Sequence, residues 1–303
     1  MDGVLPLWKP RGMTSHDCVK KIRGIFQTKK VGHTGTLDPN AEGVLPICIG
    51  EATKIVPFLI NQSKTYVAEC TLGTATETED VDGQVIATKE VHKPITKAEI
   101  DDVLACFTGE ITQIPPMYSA VRVKGKRLYE YARNNETVER PKRQVTIYEI
   151  NNLLRDETTM DKFSFEVHCS AGTYIRTLCV DIGNQLGYPA HMSHLVRTRV
   201  GAFAQEDTVT FAMIEEAKQA NQLDQMLVSM AEALKDLDYI QVDEQVKIKV
   251  LHGQKLKKTH FQIKTDPFLV LYQDQLLAIY EIDPHYTHML KPIRVFNSSK
   301  KSR

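Results

Sequence analysis

The sequence predicts an α+β protein in which a large mixed domain precedes a small β domain. Segments 64–73 and 163–169 alternate apolar and polar residues with the period of a β-strand. Other segments have helical spacing, yet strands and helices do not alternate strictly, which favours α+β over a parallel α/β sheet. Because the chain changes to short β segments after Leu237, we predict domains 1–237 and 238–303.

The first elements follow from local signals near the N-terminus. Residues 4–8 indicate a short strand, which the sequence Lys9-Pro10-Arg11-Gly12 ends. Thr14 or Ser15 can cap a helix that runs to about Phe26, because either hydroxyl can accept from a free N–H of the first turn.

Later elements are predicted in the same way. Residues 96–99 form a capping box, so a helix begins there. A helix that follows the turn 171–173 ends at Gly187, and another helix covers about 211–234. The acidic run 77–83 lacks the ligand spacing of a calcium loop and predicts a hairpin turn instead.

Charge is segregated along a chain whose formal net charge is zero. Residues 122–143 carry eight basic and three acidic side chains, 247–264 carry six lysines and no carboxylate, and 291–303 carry five basic side chains and no acid. Residues 206–244 carry ten acids and two lysines. The pattern favours a track for a polyanion such as nucleic acid, with the acidic stretch facing elsewhere; solvated loops are the simpler interpretation.

Composition and motifs exclude several classes of protein. The six cysteines form no C-x-x-C pair, which indicates reduced thiols in a cytoplasmic protein. We expect no signal peptide, and no apolar run reaches the ~18 residues of a membrane helix. Motifs for phosphate loops, dinucleotides and nucleophile elbows are missing, and His191-x-x-His194 has no further ligand at useful spacing. We therefore expect no metal and no cofactor.

The stretch VGHTGTLDPNAEGVL, residues 31–45, contains the strongest candidate for catalysis. It is too rich in glycine for a helix interior and too interrupted for a central strand. Asp38 could serve there as a nucleophile on a sugar carbon or an activated ring, with a nearby arginine keeping it ionised. On the residues alone, an ordinary Asp-Pro turn is the simpler interpretation.

Six motifs, found in the same order along the chain, resemble those of the bacterial tRNA pseudouridine synthase B family. The stretch from residue 32 resembles the catalytic motif of that family, and the resemblance extends over nearly the whole chain. In chain order the matching segments are KPRGMTS, GHTGTLDPNAEGVLPICIGEATK, SKTYVAECTLGTATETEDVDG, QIPPMYSAVRVKGKRLYEYAR, CSAGTYIRTLCVDIG and LVRTRVGAF. In the third segment, glutamates stand where the family often has an aspartate.

The resemblance implies a fold. It is the pseudouridine synthase fold, a mixed, largely antiparallel sheet flanked by helices, with a thumb-like insertion at about 113–143. A small PUA-like RNA-binding β-barrel would follow at the C-terminus; there the resemblance is carried only by position, lysines and the segment KPIRVF.

The resemblance also implies roles for individual residues. Asp38 matches the catalytic aspartate, and Arg176 matches the arginine that pairs with it. Tyr66 matches the tyrosine that stacks on the target base, and its hydroxyl is a candidate for a proton transfer.

Four further positions match residues that contact the substrate. Tyr174 and Leu195 match residues that line the pocket, and His33 matches a histidine that helps to hold the T-loop open once its base has left the stack. Lys9 matches a lysine that is either structural or faces the substrate.

The activity that the resemblance implies is isomerisation of uridine-55 in the T-loop of tRNA to pseudouridine. The enzyme would act on the T-arm as a monomer in the cytoplasm, without a metal, cofactor, membrane or protein partner. The uracil base of the target uridine would have to leave the RNA stack before the enzyme could attack it.

Three alternatives are open. The first is a non-catalytic RNA-binding or tRNA-folding module on the same scaffold; its simplest test is whether Asp38, Tyr66 and Arg176 are all present, and they are. The second is a related synthase that depends on a guide RNA, against which the thumb-like insertion argues. The third is a metal-dependent nuclease, for which the sequence lacks a ligand cluster.

Overall fold

The computed structural model describes residues 1–154, 156–258 and 261–296. Three side chains of the predicted C-terminal basic segment, Lys300, Lys301 and Arg303, lie outside the described residues. No helix in the ranges just given is long and apolar enough to cross a membrane.

Strands make up most of the regular structure. In the described part of the chain they are β1 (Gly3–Lys9), β2 (Val31–His33), β3 (Glu42–Ile49), β4 (Lys64–Leu72), β5 (Thr74–Thr76), β6 (Val85–Thr88), β7 (Ile95–Thr96), β8 (Gly109–Gln113), β9 (Arg122–Val123), β10 (Lys126–Arg127), β11 (Arg143–Asn152), β12 (Thr158–Thr159), β13 (Lys162–Cys169), β14 (Ala190–Val200), β15 (Phe203–Ala204), β16 (Tyr239–Gln241), β17 (Leu256–Lys257), β18 (Phe268–Tyr272), β19 (Gln275–Ile282) and β20 (Met289–Val295).

Helices cover the sheet and join its strands. The α-helices are α1 (Ser15–Ile25), α2 (Val56–Ile60), α3 (Lys97–Ala105), α4 (Leu128–Arg133), α5 (Ile175–Leu186), α6 (Phe211–Gln219), α7 (Met230–Ala233) and α8 (Glu244–Leu251). Short 3₁₀ turns lie at Gly50–Ile55, Gln205–Asp207 and Leu223–Met226.

A large mixed sheet forms the centre of the molecule, in the strand order β1-β3-β14-β4-β13-β11-β8. Strand β2 also pairs with β3, and β15 pairs with β14. The contact between β14 and β3 is parallel, whereas the other pairs of this sheet are antiparallel. The predicted α+β class is therefore confirmed.

Three apolar clusters cover this sheet. One lies between strands β4, β13 and β14 and helices α3 and α5, and includes Phe165, Leu178 and Ile182. A second packs α1 against β1 and β3. The third joins the other side of β1 and β3 to the C-terminal sheet, where Val4 and Val44 belong to one cluster with residues of β18 and β19. The large and small sheets therefore share apolar packing.

The C-terminal strands form a curled five-stranded sheet in the order β16-β18-β19-β20-β17, a half-barrel of the PUA-like kind. Its own apolar cluster includes Phe268 and Tyr280 and packs beneath α8. The predicted domain boundary after Leu237 stays a prediction, although β16 begins this sheet at Tyr239.

Local signals predicted several boundaries correctly. Thr14 caps α1 and Thr96 caps α3, each in a capping box. Helix α5 ends at Gly187, whose φ of +85° is readily available to glycine. Residues 77–83 join β5 to β6 in the predicted hairpin.

The predicted helix over 211–234 is wrong. Helix α6 ends at Gln219, and Asn221 adopts a left-handed φ of +56° that turns the chain. Val228 then pairs with Val4: each backbone N–H donates to the other residue's carbonyl, at 2.9 and 2.8 Å. Because those groups extend the edge of β1, they cannot serve a helix, and α7 starts anew after Ser229.

The stretch 31–45 is also more regular than predicted. Its last residues belong to β3, which is a central strand paired with β1 along its whole length. Gly43 explains the difference, since its φ of +122° lets its backbone lie directly against that of Arg197. Only the segment 34–41, which we call the catalytic loop because it carries the candidate Asp38, is irregular.

Candidate active site

The N-terminal segment KPRGMTS, residues 9–15, holds the catalytic loop in place. The Leu37 N–H donates to the Ser15 hydroxyl at 2.9 Å, and that hydroxyl donates back to the Leu37 carbonyl at 3.2 Å. The Gly12 N–H donates to the Pro39 carbonyl at 2.8 Å. Two anchors on either side of Asp38 therefore fix the backbone from which this carboxylate projects.

Lys9 completes this anchoring. Its side chain is fully buried, and its ammonium donates to the carbonyls of Pro10, Pro39 and Ala41 at 3.1, 3.2 and 2.5 Å. Burial lowers the pKa of Lys9, while the charge of Asp38 opposes that shift. Because all three donors have carbonyl acceptors, the contacts support the structural role of Lys9 and leave its substrate-facing role without support.

Arg176 joins the carboxylate to the rest of the site. Its Nε lies 3.2 Å from Oδ2 of Asp38, and its Nη1 lies 3.3 Å from Oδ2 of Asp80. The remaining donors reach the carbonyls of Thr78 and Tyr118, both at 2.9 Å. A guanidinium with every edge occupied has one fixed orientation, so Arg176 holds Asp38 in register with the acidic hairpin.

The surroundings of Asp38 raise its pKa. Burial is the largest cause, Arg176 opposes it, and the nearby charge of Asp80 adds to it. We predicted that an arginine would keep this aspartate ionised; Arg176 is in place, but the balance of burial and charge still raises the pKa. A partly desolvated carboxylate is a stronger nucleophile than a fully hydrated one.

Tyr66 and Leu195 form the apolar side of the site. Both are buried in the cluster that includes Leu37 and Ala41 of the catalytic loop. Burial raises the pKa of the Tyr66 hydroxyl, and Asp38 is close enough for its charge to raise it further. The hydroxyl is therefore protonated at neutral pH.

Tyr174 lies beside Arg176 at the start of α5 and is half-buried. Its backbone is clamped by Gln113: the Tyr174 N–H donates to Oε1 at 2.9 Å, and Nε2 donates to the Tyr174 carbonyl at 3.1 Å. Gln113 is 1% exposed and is the last residue of β8, where the thumb-like insertion begins. The insertion is thereby tied to the start of α5.

His33 is the last residue of β2 and directly precedes the catalytic loop. Its Nδ1 accepts from the Gly35 N–H at 3.2 Å, which places the ring proton on Nε2. Burial lowers its pKa, so the ring is neutral at physiological pH and presents a single N–H donor. The structure does not bring His33 to the carboxylate in the way it brings Arg176.

Two side chains that the sequence did not single out lie within this site. Asp80 shares Arg176 with Asp38, but its acidic run predicted only a turn. Arg197 is 1% exposed and donates to carbonyls of the catalytic loop. The only sequence signal for either was its place inside a family motif.

The two histidines of the pair have separate partners. His191 bonds the Thr74 carbonyl through Nδ1 at 2.8 Å, and Nε2 of His194 lies 3.7 Å from Glu42. Among the residues with described positions, no group of three or more His, Cys, Asp or Glu side chains is arranged to hold a metal ion.

The pKa shift of Asp38 predicts a pH dependence. If the reaction needs the ionised carboxylate, activity falls as pH drops through a pKa that lies above the ordinary 3.8 of aspartate. We expect the acid limb of the single-turnover rate to lie on the alkaline side of that value. RNA binding measured over the same pH range separates this loss from dissociation; an acid limb at or below the ordinary value would contradict the prediction.

Family models match most of the chain. The model for the TruB family pseudouridylate synthase N-terminal domain matches residues 23–175, and that for the tRNA pseudouridylate synthase B C-terminal domain matches residues 176–235. The first match contains Asp38 and Tyr66, and the second begins at Arg176. The boundary between the two models therefore runs through the site.

Curated relatives agree over the full length. The chain is 54% identical over 297 residues to tRNA pseudouridine synthase B of Oceanobacillus iheyensis, covering 98% of each chain. It is 51% identical over 300 residues to the protein of that name from Listeria innocua, covering 97% of this chain and 98% of the relative.

Solved structures show the same fold. In a Cbf5-Nop10-Gar1 complex, a chain 29% identical superposes with a TM-score of 0.75, covering 97% of this chain and 84% of the other. An H/ACA RNP bound to a substrate RNA gives a TM-score of 0.73 at 28% identity, covering 97% and 85%. The shared architecture, the order of the motifs and the full-length identity establish that the chain belongs to the TruB family of pseudouridylate synthases.

Proposed function

We propose that the protein is a tRNA pseudouridine synthase that isomerises uridine-55 of the T-loop to pseudouridine. The observation that carries the proposal is the Asp38 carboxylate, fixed by Arg176 at 3.2 Å beside an apolar wall that contains Tyr66 and Leu195. The relatives named tRNA pseudouridine synthase B support the substrate class.

The reaction is an isomerisation, so its atoms balance without a second substrate. The N1–C1′ bond breaks, the detached uracil rotates, and a C5–C1′ bond forms. The hydrogen on C5 leaves as a proton, and N1 gains one. Asp38 can assist by adding to the uracil ring or by attacking C1′, and both routes begin with an ionised carboxylate.

Each residue of the site has a task in this scheme. Arg176 aims the carboxylate and compensates part of its burial, while Leu195 excludes water from the base. Tyr66 offers a ring for stacking, worth ~1–3 kcal/mol per base, which offsets part of the cost of extruding the uridine. Its hydroxyl is the candidate for moving the C5 proton.

The thumb-like insertion offers a surface for the RNA backbone. Tyr129 lies between two guanidinium groups, with its ring centre 5.7 Å from Arg127 and 5.3 Å from Arg133. Cations and an aromatic ring in alternation suit a folded RNA loop, which is read mainly through shape, phosphates and stacking. With His33 at the start of the catalytic loop, the T-loop would be held by two separate parts of the chain.

The direct test is to incubate the pure protein with an unmodified tRNA transcript and to map pseudouridine by site. We expect modification at position 55 alone. Modification elsewhere would contradict the proposed site, and binding without modification would favour a non-catalytic RNA-binding or tRNA-folding module. The same preparation, measured by light scattering, tests the expected monomer.

The C-terminal half-barrel is proposed to add electrostatic contacts with RNA. Of the six lysines in residues 247–264, two are engaged in ion pairs, Lys247 with Glu244 at 3.2 Å and Lys255 with Asp283 at 2.6 Å. The other four, which have no ion pair with any described residue, are Lys249, Lys257, Lys258 and Lys264. Deletion of the half-barrel is a poor test, because it would expose the apolar cluster shared with β1 and β3.

Point substitutions give a cleaner prediction. Lys249→Gln combined with Lys257→Gln should lower the slope of log K against log salt by roughly 0.7–0.9 for each RNA phosphate that the protein no longer neutralises. Lys235→Gln is the matched control, since Lys235 pairs with Glu232 in the acidic stretch. A slope equal to that of the control would show that these lysines face only solvent.

A further inference from the structure

Arg197 occupies the point where three strands of the large sheet meet. It lies on β14, directly opposite Tyr66 of β4 and, across the parallel contact, opposite Gly43 of β3. Its side chain is 1% exposed. A cross-strand position of this kind brings its guanidinium close to both the tyrosine and the catalytic loop.

The guanidinium is bonded chiefly to the backbone around the catalytic loop. Its Nε donates to the Val44 carbonyl at 2.8 Å, its Nη2 to the Gly35 carbonyl at 3.3 Å, and its Nη1 to the Thr36 carbonyl at 3.5 Å. Tyr66 is its cross-strand partner, and the charge of Arg197 opposes the rise that burial causes in the pKa of the Tyr66 hydroxyl. One planar cation therefore binds the backbone on both sides of Asp38 and lies on the strand position opposite the tyrosine.

The fit around Arg197 is close. A Cβ on Gly43 would lie 2.2 Å from the Arg197 carbonyl oxygen, so the backbone there has no room for a side chain. A Cβ on Gly35 would lie 3.7 Å from Nη1, at a φ of +139° that disfavours any other residue. Two glycines of the motif thus allow the loop to lie against this arginine.

Its charge is not needed to pair with an acid. Among the described residues, the ion pairs of this structure do not include Arg197. The titratable groups that its charge affects are the cations Lys9 and Lys64 and two neutral groups, His33 and Tyr66. Burying a cation among other cations is costly, and an apolar residue of similar volume could fill the same space. A residue kept at such cost is best explained by what its donors orient.

We propose that Arg197 is a positioning residue for the reaction: it sets the catalytic loop and the Tyr66 hydroxyl in one fixed arrangement, so that Asp38 and Tyr66 act on the same extruded base. The inference rests on the proposed function. Arg197 itself touches neither the base nor the reacting atoms, because it is buried and each of its three nitrogens donates to a backbone carbonyl.

The test compares single-turnover rates, RNA affinity and melting temperature for Arg197→Met, Arg197→Lys and Lys64→Met. Lys64 is the matched control. Like Arg197 it is a buried cation, but it lies on β4 and its ammonium donates to the carbonyls of Ile60 and Gln62. We expect Arg197→Met to lower the rate by about 10²-fold with tRNA affinity within about threefold of wild type. Arg197→Lys keeps the charge without the planar fork and should be intermediate.

A double-mutant cycle separates positioning from general stability. In the Tyr66→Phe background, Arg197→Met should cost much less than in the wild type, because the hydroxyl that it orients is already gone. Additive losses, or a rate for Arg197→Lys equal to wild type, would overturn the proposal. So would a loss of rate in Lys64→Met that matches Arg197→Met at equal melting temperature. Failure of the wild-type protein to modify tRNA would instead count against the proposed function.

Discussion

Asp38→Asn is expected to bind unmodified tRNA as the wild type does and to lose at least about 10⁴-fold in single-turnover rate. The amide has nearly the shape of the carboxylate but cannot act as a nucleophile. The fold should persist, because Lys9, Gly12 and Ser15 hold the loop through its backbone and do not depend on the Asp38 side chain. Arg176 would keep its contacts with Asp80, Thr78 and Tyr118.

The matched control is Asp82→Asn, the same chemical change at an exposed carboxylate a short distance away. Asp82 accepts from the Asn40 amide and has no contact with Arg176 among the described interactions. We expect its rate to remain within about threefold of wild type. Turnover of Asp38→Asn within about tenfold of wild type would remove Asp38 from the mechanism.

Tyr66→Phe is expected to lower the single-turnover rate by ~10²–10⁴-fold while leaving tRNA binding intact. The ring, and hence the stacking on the base, is retained, so the loss reports on the hydroxyl alone. The site offers few other groups for the C5 proton: each nitrogen of Arg176 already has a partner, and no described contact joins His33 to Asp38.

Tyr66→Leu separates the two roles of this tyrosine. It removes the ring as well as the hydroxyl, so it should weaken the productive complex in addition to slowing the proton transfer. If the phenylalanine variant were as fast as wild type and only the leucine variant were slow, stacking would be the sole role of Tyr66. Melting temperatures of both variants control for loss of packing in the buried cluster around Leu37.

Helices with local start or stop signals could be predicted from the sequence, and elements whose ends depend on distant partners could not. Thr14, Thr96 and Gly187 act on residues within one turn of themselves, so their helices were placed correctly. The segment after α6 has helical composition, but Val228 pairs with β1. That contact spans most of the chain and leaves no local trace.

The site divides along the same line. Asp38 was a candidate because it lies in a glycine-rich stretch, although the residues alone favoured an ordinary Asp-Pro turn; the family motifs implied its role and that of Arg176. The role of Asp80 depends on a guanidinium far along the chain, and that of Arg197 on a strand register in which it faces Tyr66. Neither relation follows from spacing, since both arise where β14, α5 and the acidic hairpin converge.

The isomerisation of uridine-55 by Asp38 is tested most directly by following tritium from C5 of uridine in an unmodified tRNA transcript. Formation of the C5–C1′ bond expels that hydrogen, so we expect one equivalent of tritium to be released to water per tRNA. The release should vanish with Asp38→Asn and with a transcript that carries cytidine at position 55. Tritium release by the Asp38→Asn variant, or from the transcript with cytidine at position 55, would contradict the proposed reaction. Pseudouridine formed at position 55 without Asp38 would contradict it as well.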